Sequence, residues 1–200
     1  MTSIIKVQDI QNATGDNIIK EASNTITIGA SGDTTNIVGT LQNNGAGVGG
    51  ANTPAFHAFL NTNQTGISDN TYTKVSMNTE LFDSDGCYDH SSNYRFTPTT
   101  AGKYFVYFNW SIYSGTANSG YVFNGGIYKN GSNVRYSANN VNSSYPEYER
   151  TATITSILDM NGSSDYVEAY VRLNVSSGDV TASGNATGTL NYFGAYKIIE

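Results

Sequence analysis

Gly102-Lys103-Tyr104-Phe105-Val106-Tyr107-Phe108-Asn109-Trp110-Ser111-Ile112-Tyr113 reads as a strand that is apolar on both faces. Successive side chains of a strand point to opposite sides of the sheet. Tyr104, Val106, Phe108, Trp110 and Ile112 therefore share one side, and Phe105, Tyr107 and Tyr113 share the other. A strand with one solvated face alternates apolar with polar residues. Here the first set can fill the domain's own core, while the second set needs another apolar surface to cover it. The chain has no helical pattern that could supply one, so the nearest source is a second copy of the same chain. Self-association is the first expectation.

Outward from this strand the pattern stays β. Further strands are expected at 55–60, 73–78, 94–97, 121–128, 133–136, 150–158, 166–174 and 189–198. Each is bounded by clusters of Gly, Pro, Asn, Asp or Ser. Lys129-Asn130-Gly131-Ser132 is a tight-turn signal between two of them. The fold class expected for 54–200 is all-β, an antiparallel jelly-roll sandwich. Residues 43–53, Asn-Asn-Gly-Ala-Gly-Val-Gly-Gly-Ala-Asn-Thr, read as a glycine-rich linker. Residues 1–42 contain no aromatic residue and carry short aliphatic bursts, beginning with Ile4, Ile5, Val7 and Ile10. That is too little apolar bulk to fold alone. It suits a short β-rich arm or shaft in which several copies wind together.

Composition narrows the function. Charged residues make up 13% of the 200, against 21 Gly and 15 Tyr, so amides and hydroxyls wet the surface more than ions do. A net charge of −6 without a basic cluster argues against nucleic acid and against an anionic membrane surface. No run is long enough for a membrane span. Met1-Thr-Ser-Ile-Ile-Lys-Val lacks the apolar core of a signal peptide, so the expectation is synthesis in a cytoplasm. The single cysteine, Cys87, leaves stability to packing and assembly.

Six pieces, in order, carry a family likeness: Ala55-Phe56-His57-Ala58-Phe59; Phe82-Asp83 with Tyr88-Asp89; Arg95-Phe96-Thr97-Pro98 with Gly102 to Val106; Ile127 to Gly131; Asp165-Tyr166-Val167; and Tyr192-Phe193-Gly194-Ala195-Tyr196. Together they resemble the C1q/tumour-necrosis-factor-like jelly roll. Asn161-Gly162-Ser163-Ser164-Asp165 departs from it, standing where that family has a tight Gly-Asp. The resemblance implies a homotrimer with Phe105, Tyr107 and Tyr192 at the threefold axis. It implies a domain core of Phe56, Phe82, Phe96, Tyr104, Val106, Phe108, Trp110 and Phe193. Ser3 to Gln11 followed by Ile26 to Asp33 is similar to the opening of tailed-bacteriophage virion proteins. That likeness implies a virion location, with Ile4, Ile5, Val7 and Ile10 anchoring the chain to other virion proteins. The expected function is non-enzymatic: a short homotrimeric phage fibre whose knob contacts a host-surface glycan or protein. The alternative is a capsid or tail decoration trimer that binds no receptor.

Few residues suggest chemistry. Asp83, Asp85 and Asp89 alternate as calcium ligands can, but Gly86 comes too early for an EF-hand loop and Tyr94 stands where its glutamate belongs. A solvated loop is the expectation there, with no cofactor. Three copies of His57 could meet a metal on a threefold axis, though an ordinary strand histidine fits better. His90 could pair with Asp89 as a base, but no nucleophile accompanies it. A polysaccharide hydrolase needs two carboxylates about 5–10 Å apart, and Glu80, Glu147, Glu149 and Glu168 are scattered singly. Residues 137–149 read as a surface loop rich in Tyr, Asn and Ser, which suit adaptable contacts. Asn139, Asn140, Tyr145 and Tyr148 are the candidate receptor-contacting residues.

Overall fold

Period-two alternation decides which residues enter the core, and β-branched and aromatic side chains decide where strands form. The computed structural model describes residues 9–11, 13, 17–22, 25–28, 31–37, 41–43, 46–47, 52–141 and 144–198. The chain divides into two units, Met1–Gly50 and Ala51–Glu200.

In the first unit, β1 (Asp9–Gln11), β2 (Asn17–Ala22) and β3 (Thr25–Ile28) form an antiparallel sheet. Its register pairs Ile10 with Ile19 and Ile19 with Ile28, and Ile10 and Ile28 are exposed. β4 (Gln42–Asn43) pairs with β5 (Ala46–Gly47) at the start of the segment read as linker, with Gln42 still in the segment read as arm. Of the anchor candidates, Ile4, Ile5 and Val7 lie outside the described residues.

The second unit is a sandwich of two antiparallel sheets. Its strands are β6 (Ala55–Phe59), β7 (Gln64–Ile67), β8 (Thr73–Lys74), β9 (Thr79–Asp83), β10 (Tyr88–Asp89), β11 (Arg95–Phe96), β12 (Ala101–Ser114), β13 (Gly120–Lys129), β14 (Ser132–Asn140), β15 (Glu149–Asn161), β16 (Val167–Val175), β17 (Val180–Ala182) and β18 (Tyr192–Lys197). The first sheet runs β7-β17-β12-β18-β6-β9, with β15 paired to β12 along its whole length. The second runs β10-β11-β16-β13-β14, with β8 beside β16. Asn130 and Gly131 both take positive φ, 51° and 76°, which closes the β13–β14 hairpin as its sequence requires.

Tyr104, Val106, Phe108, Trp110 and Ile112 all point into the sandwich and are fully buried. Phe56 stacks there on Tyr88 at 4.5 Å and on Phe96 at 4.6 Å, and meets Phe193 edge-on at 5.2 Å. Each buried ring of this kind contributes roughly 1.5–3 kcal/mol. The phenol of Tyr88 keeps a partner by donating to the Met77 carbonyl at 3.1 Å.

Phe82 corrects the expected core list, because it is half exposed. It sits directly opposite His57, and His57 faces outward because Phe56 and Ala58 occupy the core. Cross-strand partners share a face. The register slips between His57 and Ala58, passing over Leu81, so a simple alternation misplaces this strand. A second correction concerns Asn139 and Asn140. They are strand residues of β14, paired with Phe123 and Val122, and only the residues beyond them leave the sheet.

Candidate self-association face

Along β12 the residues between the core positions emerge on the outer side of the first sheet. Phe105 lies between Ile157 of β15 and Tyr196 of β18. In the next row Tyr107 lies between Thr155 and Gly194, and that row continues through His57 to Phe82. Tyr192 follows one row further on, beside Asn109. The rings touch as one group. Phe105 is 6.2 Å from Tyr107 and 5.4 Å from Tyr196, centroid to centroid. His57 is 5.5 Å from Tyr192 and 6.4 Å from Phe82, roughly parallel to both.

Gly194 makes this arrangement possible. A Cβ there would fall on the phenol of Tyr107 and within 2.8 Å of the Phe56 carbonyl oxygen. With no side chain at 194, Tyr107 lies across the backbone of β18 and its hydroxyl reaches His57 Nδ1 at 2.8 Å. Burial lowers the pKa of His57 below its ordinary value and raises that of Tyr107, so both groups are held neutral at pH 7. One row beyond Phe105 and Ile157 the same face carries an exposed ion pair, Lys103 with Asp159 at 3.1 Å.

Apolar surface stays open at its margins. Ile157 of β15 is 59% exposed, Tyr196 of β18 38% and Phe82 of β9 49%, on alternate strands of one face. Contiguous apolar surface rimmed by polar residues marks an interaction site. Further along β12 the same face turns polar and closes on itself. Asn191, fully buried, donates to the carbonyls of Ser111 and Ser183 at 2.6 and 2.7 Å and accepts the Ser111 amide. The Ser111 hydroxyl donates to Glu149 at 2.7 Å.

Alternation placed Phe105 and Tyr107 on one face, the family resemblance added Tyr192, and the structure brings these three rings together. His57, considered for the same axis, stands among them, while Phe82, Ile157 and Tyr196 were missed as their neighbours. One signal was available: Ile157 is the lone aliphatic residue in the outward series Thr153, Thr155, Ile157, Asp159.

The other candidates lie apart from these rings. Asp83 spends its carboxylate on the amides of Asp85 and Tyr88, at 3.3 and 2.7 Å. Asp89 accepts the amides of Ser91, Ser92 and Asn93, which hold its carboxyl well below the usual carboxylate range. Asp85 accepts from the Ser84 hydroxyl. Among the described residues no group of three His, Cys, Asp or Glu is arranged to hold a metal ion. His90 pairs with Glu80 at 2.7 Å rather than with Asp89. Tyr145 and Tyr148 are exposed, and Tyr148 stacks on Tyr113 at 5.3 Å. Asn140 is exposed and Asn139 half-buried.

No family model matches this chain, and no curated protein matches its sequence. Solved structures do match its fold. Eiger TNF from S. frugiperda aligns with a TM-score of 0.54 at 12% identity, covering 73% of this chain and 92% of that one. Murine APRIL aligns with 0.51 at 10% identity, covering 72% and 98%. The globular domain of the zebrafish complement 1qA protein aligns with 0.50 at 14% identity, covering 74% and 99%. The second unit therefore has the C1q/TNF-like jelly-roll fold, as its sequence pieces implied.

Proposed function

We propose that this chain is a non-enzymatic structural protein that acts as a homotrimer, each knob covering the outer face of its first sheet with sister copies. The observation that carries this reading is the continuous apolar face of Phe105, Tyr107, Tyr192, Tyr196, Phe82 and Ile157. In a free subunit these rings stand partly in water, and a partner with the same face removes that cost. In this reading the trimer is a short fibre of a tailed-phage virion. The segment that includes Ile4, Ile5, Val7 and Ile10 holds it to other virion proteins, and the knob meets a host-surface glycan or protein. The resemblance of the first residues to virion proteins supports the location. Exposed Tyr145, Tyr148 and Asn140 support the contact. Weak binding by each knob would be strengthened by threefold avidity.

Sedimentation velocity of the full chain at micromolar concentration tests the assembly. The expected result is a single species of three chains, and a monomer would overturn the reading. Antibodies raised against residues 51–200 should label the particle, and purified protein should compete with phage for host cells. Virions that lack the protein, adsorb normally and break more easily would move the reading to a decoration trimer.

A further inference from the structure

Between pH 7.5 and 5 few groups of this chain change charge, because carboxylates titrate below that range and phenols and lysines above it. Its two histidines, His57 and His90, fall within it. His90 is exposed and paired with Glu80, whose strand partner Ala58 faces the core. His57 stands in the middle of the outer face of the first sheet. Its partners across the sheet are Gly194 on β18 and Phe82 on β9. Tyr107 reaches it from β12, Tyr192 lies roughly parallel to it at 5.5 Å, and Tyr196 shares the face opposite Ala55. Among the described residues no carboxylate or cation touches the imidazole, and its polar contact is the Tyr107 hydroxyl at 2.8 Å. The ion pair of this face, Lys103 with Asp159, lies two rows away beyond Phe105 and neutralises itself.

That single polar contact decides what a proton does here. If Nδ1 accepts from the phenol, protonation turns Nδ1 into a donor and leaves the phenol hydrogen without an acceptor. If Nδ1 already donates, the proton goes to Nε2, which has no acceptor among the described residues. In either tautomer one polar hydrogen and one positive charge are left to water. A single subunit lets water in, since Phe82 beside the ring is half exposed. A face covered by sister copies does not, and an unpaired charge in such a seam is costly. Proton and sister subunit therefore compete for one face, so each weakens the binding of the other.

We propose that the homotrimer comes apart in mild acid: three His57 rings, one from each copy, keep the seam closed while neutral and open it when protonated. This regulation of the self-association face rests on the homotrimer reading above. Burial already lowers the pKa of His57 in the single chain, and covering the face lowers it further. Dissociation therefore takes up protons as pH falls below 6.5, and the effect levels off once the trimer itself protonates. Three protons per trimer make the response steep. The limit is about a thousandfold per pH unit in the three-body dissociation constant, or about thirtyfold in midpoint concentration.

The test is sedimentation velocity of the full chain at micromolar concentration, in steps from pH 7.5 to 5 at constant salt, with near-UV circular dichroism at each step. The expected result is a trimer at pH 7.5, a folded monomer at pH 5, and a trimer again when the sample returns to pH 7.5. His57→Gln, whose amide can still bond Tyr107, should stay trimeric throughout, and His90→Gln should dissociate as the native chain does. If His57→Gln does not assemble even at pH 7.5, the slope of the dissociation constant in His90→Gln decides. It must exceed one proton per trimer between pH 6.5 and 5, and a smaller slope overturns the proposal. A native trimer that persists at pH 5 overturns this inference and leaves the homotrimer standing. Acid dissociation of His57→Gln overturns it too, as does loss of the near-UV signal together with the trimer. A native monomer at pH 7.5 overturns both this inference and the homotrimer.

Discussion

On the outer face of the first sheet, Phe105 touches Tyr107 and Tyr196, and His57 lies between Tyr192 and Phe82. On the outer face of the second, Tyr128 lies on Tyr170, with Arg172 over Tyr72 and Lys74 tied to Glu168. Both are aromatic layers on antiparallel strands, but the partners of the rings differ. The first layer has hydrocarbon at its edges, Ile157 and Phe82, with a single ion pair, Lys103 and Asp159, in the row beyond, and its one titratable ring of middle pKa is pushed toward neutrality. The second has guanidinium, ammonium and amide groups woven through it, and burial together with Glu168 pushes the Tyr170 phenol up to about 12. Aromatic content alone does not decide what a face does. Rings edged mainly by hydrocarbon call for another protein surface, and rings framed by charge can stay wet.

Placing a carboxylate on the first face should break that distinction most visibly. Ile157 is 59% exposed in the single chain, so Ile157→Glu leaves the fold in place. In the trimer it removes three aliphatic side chains, each contributing roughly 1.5–3 kcal/mol when buried, and puts three carboxylates into an apolar seam. The expected outcome is a monomer in sedimentation velocity at micromolar concentration, with near-UV circular dichroism unchanged. Persistence of the trimer would mean that another surface holds it.

Next in size is the point where the first face turns polar. Asn191→Ala removes two donors and one acceptor from fully buried carbonyl and amide groups of Ser111 and Ser183. The Ser111 carbonyl keeps the Ser183 amide at 2.9 Å, but the Ser183 carbonyl and the Ser111 amide lose their Asn191 bonds, which should cost about 2–4 kcal/mol, read as a lower midpoint in chemical denaturation. A loss within error of zero would show that water replaces the amide. Gly194→Ala sharpens the comparison from the aromatic side. The added methyl falls on Tyr107 and crowds the Phe56 carbonyl, with no room to relax between paired strands. Overpacking of this kind should cost about 1–3 kcal/mol and break the Tyr107–His57 hydrogen bond. Unchanged stability would mean that Tyr107 need not lie across β18.

The division of β12 between core and outer face could be read directly from alternation, because its side chains are large and its register is unbroken from Ala101 to Tyr113. The tight turn at Asn130-Gly131 was equally legible, since few residues tolerate two positive φ angles in succession. Phe82 was not, because a one-residue slip opposite β6 reverses the side on which it emerges. The partners of Phe105 were hidden for a related reason: Ile157 and Tyr196 become neighbours only through strand order, which a local pattern does not encode. The tyrosine array of the second sheet was harder still. Tyr72 reaches it from the short segment between β7 and β8, and in a sequence with 15 tyrosines no single one stands out. β17 was missed because three residues, Val-Thr-Ala, are too few to show a period.

The smallest expected effect tests whether the first face is as dry as its chemistry implies. Burial lowers the pKa of His57, and no charged neighbour contributes to the shift. Above pH 6.5 the imidazole is neutral in both folded and unfolded chains and does not affect stability. As pH falls through 6.5 the unfolded chain takes up the proton first, so stability declines, and the decline ends once the folded chain also protonates. Thermal melts between pH 7.5 and 5 should therefore fall more steeply for the native protein than for His57→Gln, whose amide can still bond Tyr107. His90 is present in both proteins, and its contribution cancels in the difference. Parallel curves would mean that water reaches the ring. The drop should also be steeper where the trimer forms than in an Ile157→Glu background, because sister subunits exclude the water that would otherwise solvate a protonated His57.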